Sequence, residues 1–310
     1  MNRVDISVII PVYNADKYIE KAIKSSLIQK EVDEIIIIDD GSTDNSLKIC
    51  LNICETENRI KIYYHKNHEN LGRSASRNLG IKMATSKYIA FLDADDFYLP
   101  NRFTNDFKIF NKDNSVDGVY NAIGSFFYRE FDNIEKEKLK LTTVSEKIKA
   151  NELFDKMGPM GHYGYFSGIG LTVKKDSFLK CGFFNETLQV AEDTELWLRM
   201  ALVLNLKSGI IDEPIALRGV HDTNVSFKRD DLYQINNLKM YFVLLEWMFQ
   251  KKISFIRINK VWTKFWNQNL INNTSFWFRI KYWVVSLCKH PILLKSITTY
   301  KSFPILRLFK

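Results

Sequence analysis

Two short β-branched runs, residues 5–12 (DISVIIPV) and 32–40 (VDEIIIIDD), flank an amphipathic stretch at residues 17–29, where Ile19, Ala22, Ile23 and Leu27 recur at helical spacing. Strands that are apolar along their whole length need cover on both faces. Parallel sheets built from βαβ units supply that cover. The pattern continues with a helical stretch over 46–54, a third strand over 60–65, a helix through Arg77, Asn78 and Ile81, and a fourth strand over 88–92 that stops at Asp93. The expected class is α/β, with a mostly parallel central sheet and flanking helices. Polar clusters close each unit at a carboxyl end, where sheets of this kind bind their ligands. With 310 residues, 46% of them hydrophobic, the chain can build one large core or two smaller ones.

From about Arg102 the pattern loosens. Residues 129–150 read as exposed helix and loop, residues 158–170 (GPMGHYGYFSGIG) as a flexible loop beside a strand over 169–173, and residues 194–206 as an amphipathic helix opened by Glu192 and Asp193. Residues 235–310 read as mostly helical. The charge is divided between these regions. Residues 251–310 carry 12 Lys and Arg and no Asp or Glu, which leaves 32 of the 44 basic residues against all 36 acidic ones in the first 250. Twelve aromatic residues alternate with the basic ones in that tail. This composition suits an anionic membrane surface, with a helical lid or a dimer contact as the plainer reading. Single-stranded nucleic acid would accept the same composition but is not the expected partner. No run approaches the roughly 18 to 20 apolar residues that cross a bilayer. Four scattered cysteines and an N-terminus without the zones of a secretory leader fit a reducing compartment, so a cytoplasmic protein is expected. Cys50 and Cys54, one turn apart, read as small apolar side chains.

Three carboxylates in Asp93-Ala94-Asp95-Asp96 repel one another unless a cation or hydrogen-bond donors lie among them. Hard oxygen donors suit Mg2+ or Mn2+, although a helix-start cluster would have the same composition. Asp39-Asp40-Gly41-Ser42-Thr43-Asp44 brings further acid to the same sheet edge, and Arg73 and Arg77 are placed to compensate a diphosphate there. Neither GxGxxG nor GxxxxGK[ST] occurs, which argues against a dinucleotide dehydrogenase and a P-loop NTPase.

In order, VIIPVYN (8–14), IIDDGSTD (37–44), NLGRSASRN (70–78), FLDADD (91–96), AEDTELWLR (191–199) and RGVHDTNVS (218–226) resemble the family 2 glycosyltransferases of GT-A fold over roughly residues 4–227. The resemblance implies a nucleotide-sugar-binding half over 1–110 and an acceptor-binding half of the same domain over 111–234; the basic, aromatic helical extension over 235–310 lies outside it. It implies that Pro11 and Tyr13 border the base, that Asp40 accepts a hydrogen bond from it, and that Arg73 and Arg77 lie near base and diphosphate. Asp93 would face ribose and metal, Asp95 would ligate the divalent cation, and His221 would reach the metal or diphosphate. Glu192-Asp193 matches the family's acidic pair, with Asp193 as the base that takes the acceptor's proton. His162, Tyr163 and Tyr165 are candidates for acceptor sugar, whose C–H faces pack on aromatic rings. Processive relatives carry QxxRW and membrane spans. Here the segment after Asp193 reads LWLRM, so one sugar per acceptor is expected, with inversion at the anomeric carbon. The reaction implied is transfer from a nucleotide sugar, UDP-linked by preference, to a saccharide, often lipid-linked, in bacterial surface polysaccharide or lipopolysaccharide synthesis at the inner face of the cytoplasmic membrane. The rival is a membrane-associated protein that binds nucleotide sugars or acts as a scaffold without turnover.

Overall fold

The computed structural model describes residues 5–222, 224, 230–271 and 275–303. The described residues form ten strands. These are β1 Ile6–Val12, β2 Val32–Asp39, β3 Ile60–Tyr64, β4 Tyr88–Phe91, β5 Phe97–Tyr98, β6 Gly118–Tyr120, β7 Gly124–Phe127, β8 Leu171–Lys174, β9 Leu206–Ser208 and β10 Ala216–Val220. The first eight helices are α1 Ile19–Leu27, α2 Ser46–Cys54, α3 Arg73–Met83, α4 Thr104–Lys112, α5 Asn133–Lys138, α6 Ala150–Lys156, α7 Ser177–Cys181 and α8 Glu192–Val203. Helices α9 Asp230–Gln250, α10 Phe255–Ile271, α11 Phe276–Lys289 and α12 Ile297–Lys301 follow among the described residues. The chain divides into two compact units, Met1–Lys228 and Arg229–Lys310.

The first unit is built on a seven-stranded sheet of order β3-β2-β1-β4-β8-β6-β9. Strand β1 lies between β2 and β4, parallel to both, with Val8 opposite Ile35 and Ala90. The chain steps outward from β1 through β2 to β3 and then crosses back to β4 on the other side of β1, so the carboxyl ends of β1, β2 and β4 meet at one edge. Strand β8 is antiparallel to β4 and β6, and this one sheet spans both of the halves expected from the sequence. Ile19, Ala22 and Ile23 of α1 pack on Val8, Ile10, Ile35 and Ile37 from one face. Helix α3 covers the other face closely. A Cβ on Gly80 would lie 2.3 Å from the Ile9 side chain.

Helix α8 ends three residues before the expected residue 206. Leu204 turns extended, and Leu206 begins β9, whose pairing with β6 outweighs continued helix. A second sheet, β5-β10-β7, has no counterpart in the local periodicity. It brings Gly219 so close to Asp95 that a Cβ there would stand 2.2 Å from the Asp95 carbonyl oxygen. A buried polar cluster joins α4 to β8 and to the turn after β6. Arg102 Nη1 donates to Asp106 Oδ2 at 2.8 Å, and Thr172 and Asn121 donate to the same carboxylate at 2.6 and 3.0 Å. Burial raises the Asp106 carboxyl pKa, and Arg102 opposes the shift.

The second unit is helical. Helices α9 and α10 pack against each other around Leu244, Met248, Val261, Trp262, Phe265 and Trp266, all buried. The Trp262 indole donates to Thr299 Oγ1 at 3.0 Å. Among the described residues, no helix is long and apolar enough to cross a membrane.

Candidate active site

At the carboxyl edge, Pro11 pairs with Ile38, and Tyr13 stands half exposed just beyond β1. The loop after β2 is tied back to it, because Asn14 Oδ1 accepts from the Thr43 amide at 2.8 Å. Asp40 is buried, and its two oxygens accept from the backbone amides of Leu71 and Gly72 at 2.8 and 2.9 Å. Its carboxylate therefore holds the turn that starts α3. Behind it, burial and Asp39 push the Cys50 thiol up to about 12, in line with its reading as a small apolar side chain.

That turn sets Arg73 and Arg77 facing the chain that enters α8. Arg77 is buried and bridges two acids, with Nη2 at 2.6 Å from Asp93 and Nη1 at 3.2 Å from Glu192. Arg73 Nε lies 2.5 Å from the same Glu192 oxygen. Burial and the adjacent Asp193 raise the Glu192 pKa, against the pull of both arginines. Burial acts the same way on Asp93, but Arg77 holds its pKa below the ordinary carboxylate value. Glu192 thus fixes the two arginines, while the next residue takes a different direction. Ala191 adopts a left-handed conformation, φ 63°, ahead of α8. Asp193 lines a small cavity with Arg77, Asp93, Gly168 and Trp197.

Asp95 forms a separate group. His221 Nε2 lies 2.9 Å from Asp95 Oδ2, and Asn224 donates to the same oxygen at 3.2 Å. The His221 ring stacks on Tyr18, whose ring meets Tyr128 at 4.7 Å. Burial, with Asp95 and Asp96 nearby, pushes the Tyr128 phenol up to about 12. Asp96 is buried and accepts from the Gly219 amide at 2.8 Å. Burial and the adjacent Asp95 and Asp93 raise its carboxyl well above the usual range. Lys21, on α1, places its ammonium 3.5 and 3.7 Å from the rings of Phe97 and Phe126.

Among the described residues, no three His, Cys, Asp or Glu side chains converge as a metal cage. Asp95 and His221 do converge, while Asp93 turns to Arg77. One carboxylate and one imidazole, with further positions left to diphosphate oxygens, is a donor set that fits Mg2+ or Mn2+.

The expected acceptor segment is tied down by backbone hydrogen bonds. Gly158 donates to Gly164 at 2.7 Å, and the Tyr163 carbonyl accepts from Ser145 at 2.9 Å. His162 and Tyr165 are exposed, and the Tyr163 ring lies beside the Lys156 ammonium. Ser167 and Gly168, further along the segment, line the cavity.

Sequence reasoning missed Lys21, Asn224, Tyr18 and Tyr128. Asn224 was visible as part of RGVHDTNVS. Lys21 looks like any residue on the polar side of an amphipathic helix, and only the second sheet supplies its rings.

A model of glycosyl transferase family 2 matches residues 7–166, and the chain belongs to that family. An uncharacterized glycosyltransferase of Methanocaldococcus jannaschii is 31% identical over 252 residues, 78% of this chain and 80% of that protein. Another, from Rickettsia felis, is 31% identical over 223 residues, 69% of this chain but only 33% of the relative. The chain therefore spans about a third of that longer protein. The structure of Staphylococcus aureus TarS residues 1–349 in complex with UDP-GlcNAc superposes with a TM-score of 0.64 at 17% identity, covering 86% of this chain and 72% of that one, a likeness of fold. The chain is thus a member of glycosyl transferase family 2 whose fold resembles that of the TarS structure.

Proposed function

We propose that the chain is an inverting, divalent-metal-dependent transferase that moves one sugar from a nucleotide-sugar donor, a UDP-sugar by preference, to a hydroxyl of a saccharide acceptor. The acceptor is lipid-linked, and the reaction serves bacterial surface polysaccharide or lipopolysaccharide synthesis. The observation that carries this reading is the division of acids at one sheet edge. Asp95 is paired with His221, Glu192 is engaged by two arginines, and Asp193 lines the cavity. The named structures of Staphylococcus aureus TarS with UDP and UDP-GlcNAc support the choice of donor.

In this mechanism the donor's base lies against Pro11 and Tyr13, and its diphosphate reaches toward Arg73, Arg77 and the Asp95–His221 pair. Magnesium or manganese held by that pair would supply Lewis acidity to the departing diphosphate. Asp193 holds the acceptor hydroxyl and takes its proton as the oxygen bonds to the anomeric carbon. The bond from that carbon to the diphosphate oxygen breaks on the opposite face, and its electron pair leaves with the nucleotide. Attack opposite the leaving group inverts the configuration. Glu192 acts by keeping Arg73 and Arg77 in place beside the growing charge.

Replacing Asp95 with Ala should abolish metal-dependent donor binding, while Asp193→Asn should bind donor normally and lose transfer. Equal loss of donor affinity in both variants, measured by calorimetry, would sink the division of roles.

A further inference from the structure

In the last described stretch of the second unit Leu293 is buried, but the other buried positions are hydroxyl side chains and most exposed ones are apolar. Along residues 291–302 the buried side chains include Ser296, Thr298, Thr299 and Ser302, while Ile292, Leu294, Ile297 and Tyr300 are exposed. Ile297 is 67% exposed and Thr299 fully buried. Three of these buried hydroxyls are hydrogen-bonded, Ser296 Oγ accepting from the Thr298 amide at 3.2 Å. Thr299 Oγ1 donates to the Leu293 carbonyl at 2.6 Å, and Thr298 Oγ1 meets Thr263 Oγ1 at 2.8 Å. The exposed aliphatic side chains have no such compensation in water.

Helix α11, which packs against the turn at Pro291–Lys295, repeats the pattern. Its buried residue is Ser286, while Trp277, Val284 and Val285 face outward, Trp277 at 76% exposure. Residues 277, 281, 284 and 288 follow one another at steps of four, three and four, which places them on one stripe of the helix. Lys281 lies within that stripe, Lys295 and Lys301 are exposed along the segment that follows, and Lys289 is paired with Glu246 at 3.6 Å.

We infer that this face, from α11 through α12, docks on an anionic lipid bilayer, with Trp277 and the aliphatic side chains entering the interface and the lysines meeting lipid phosphates. The charge complements an anionic surface, since residues 251–310 contain no acid. Most of the exposed apolar groups are aliphatic, which suits acyl chains and gives nucleic-acid bases little to stack on. A second copy would bring the same lysines against these. The inference deepens the proposed function, because a lipid-linked acceptor lies at such a surface, yet its test requires no turnover.

The test is flotation of the full chain with vesicles of phosphatidylcholine, alone or with one quarter phosphatidylglycerol. Binding is expected only with phosphatidylglycerol and should weaken with salt. Trp277→Ser combined with Ile297→Ser should lower partitioning roughly tenfold or more, as should Lys281→Glu with Lys295→Glu. Bromine-labelled lipid should quench tryptophan fluorescence, and Trp277→Phe should remove most of that quenching while the protein still floats. All of these substitutions are at exposed positions, and donor binding by calorimetry should stay unchanged, so a failed lipid face and a failed donor site remain distinguishable. Absence of flotation, equal binding to pure phosphatidylcholine, or partitioning indifferent to both double variants would overturn the inference. So would a dimer in vesicle-free solution that the same variants dissociate.

Discussion

Replacing Arg77 with Ala tests the acid–arginine lattice behind the cavity. Arg77 is 7% exposed and contacts Asp93 and Glu192 together. Removing one member of a buried ion pair costs about 3–5 kcal/mol, because the partner's charge is left without compensation. Two features pull the value toward the lower end. Glu192 keeps Arg73 at 2.5 Å, and the Asp93 side chain is 39% exposed, so water screens it. A loss of about 3 kcal/mol in a unit of this size lowers Tm by about 6 °C. The pH dependence provides a second signature. The Glu192 pKa is already raised, so its folded form favours the proton. The associated stability is complete below the unfolded value near 4.3 and is lost as pH rises through the folded value. Without Arg77 the shift grows, and the gap between wild type and variant should widen from about pH 4.5 to pH 7. Glu192→Gln in the Arg77→Ala background should recover part of the loss at pH 7. Calorimetric Tm measurements at both pH values decide the matter. A fall of less than 2 °C at pH 7, or an equal fall at both pH values, would refute the reasoning.

Other parts of the framework make separate predictions. Arg102→Ala strands the buried Asp106 and should cost about 3–5 kcal/mol in urea unfolding, and a loss under 1 kcal/mol would show that Thr172 and Asn121 suffice. Asn224→Ala removes a donor from Asp95 and should weaken manganese-dependent donor binding by about 10- to 100-fold with little change in Tm, whereas unchanged affinity would remove Asn224 from the site. Gly219→Ala forces a methyl against the Asp95 carbonyl, and should lower stability by about 1–3 kcal/mol together with metal-dependent binding. Intact binding would mean that the second sheet does not position Asp95.

The parallel half of the fold was legible because β1, β2 and β4 are short, mostly apolar runs and α1 carries an apolar stripe, so local periodicity suffices. Residues 46–54 were read as a helix and form one with those bounds. The second sheet was not legible. Its strands are two to five residues long, and β7 meets β10 across nearly a hundred residues, as Gly124 pairs with Leu217. The same distance hid the partners of Glu192, which lie 115 and 119 residues away on α3. Spacing alone presents Glu192 and Asp193 as a pair with shared chemistry, but consecutive helix positions point in different directions, and of the pair only Glu192 is engaged by the two arginines. Asp40 is similar, since its amide partners at Leu71 and Gly72 come from a loop that no periodicity describes.

The central claim is a nucleotide-sugar site whose donor affinity depends on a divalent cation at the Asp95–His221 pair. The most direct test is calorimetric titration of UDP-, GDP-, dTDP- and CMP-sugars into the purified chain, with manganese and with chelator. The expected result is binding of a UDP-sugar with manganese and its loss on chelation. Equal binding of that donor with and without metal, or no binding of any donor in either condition, would contradict it.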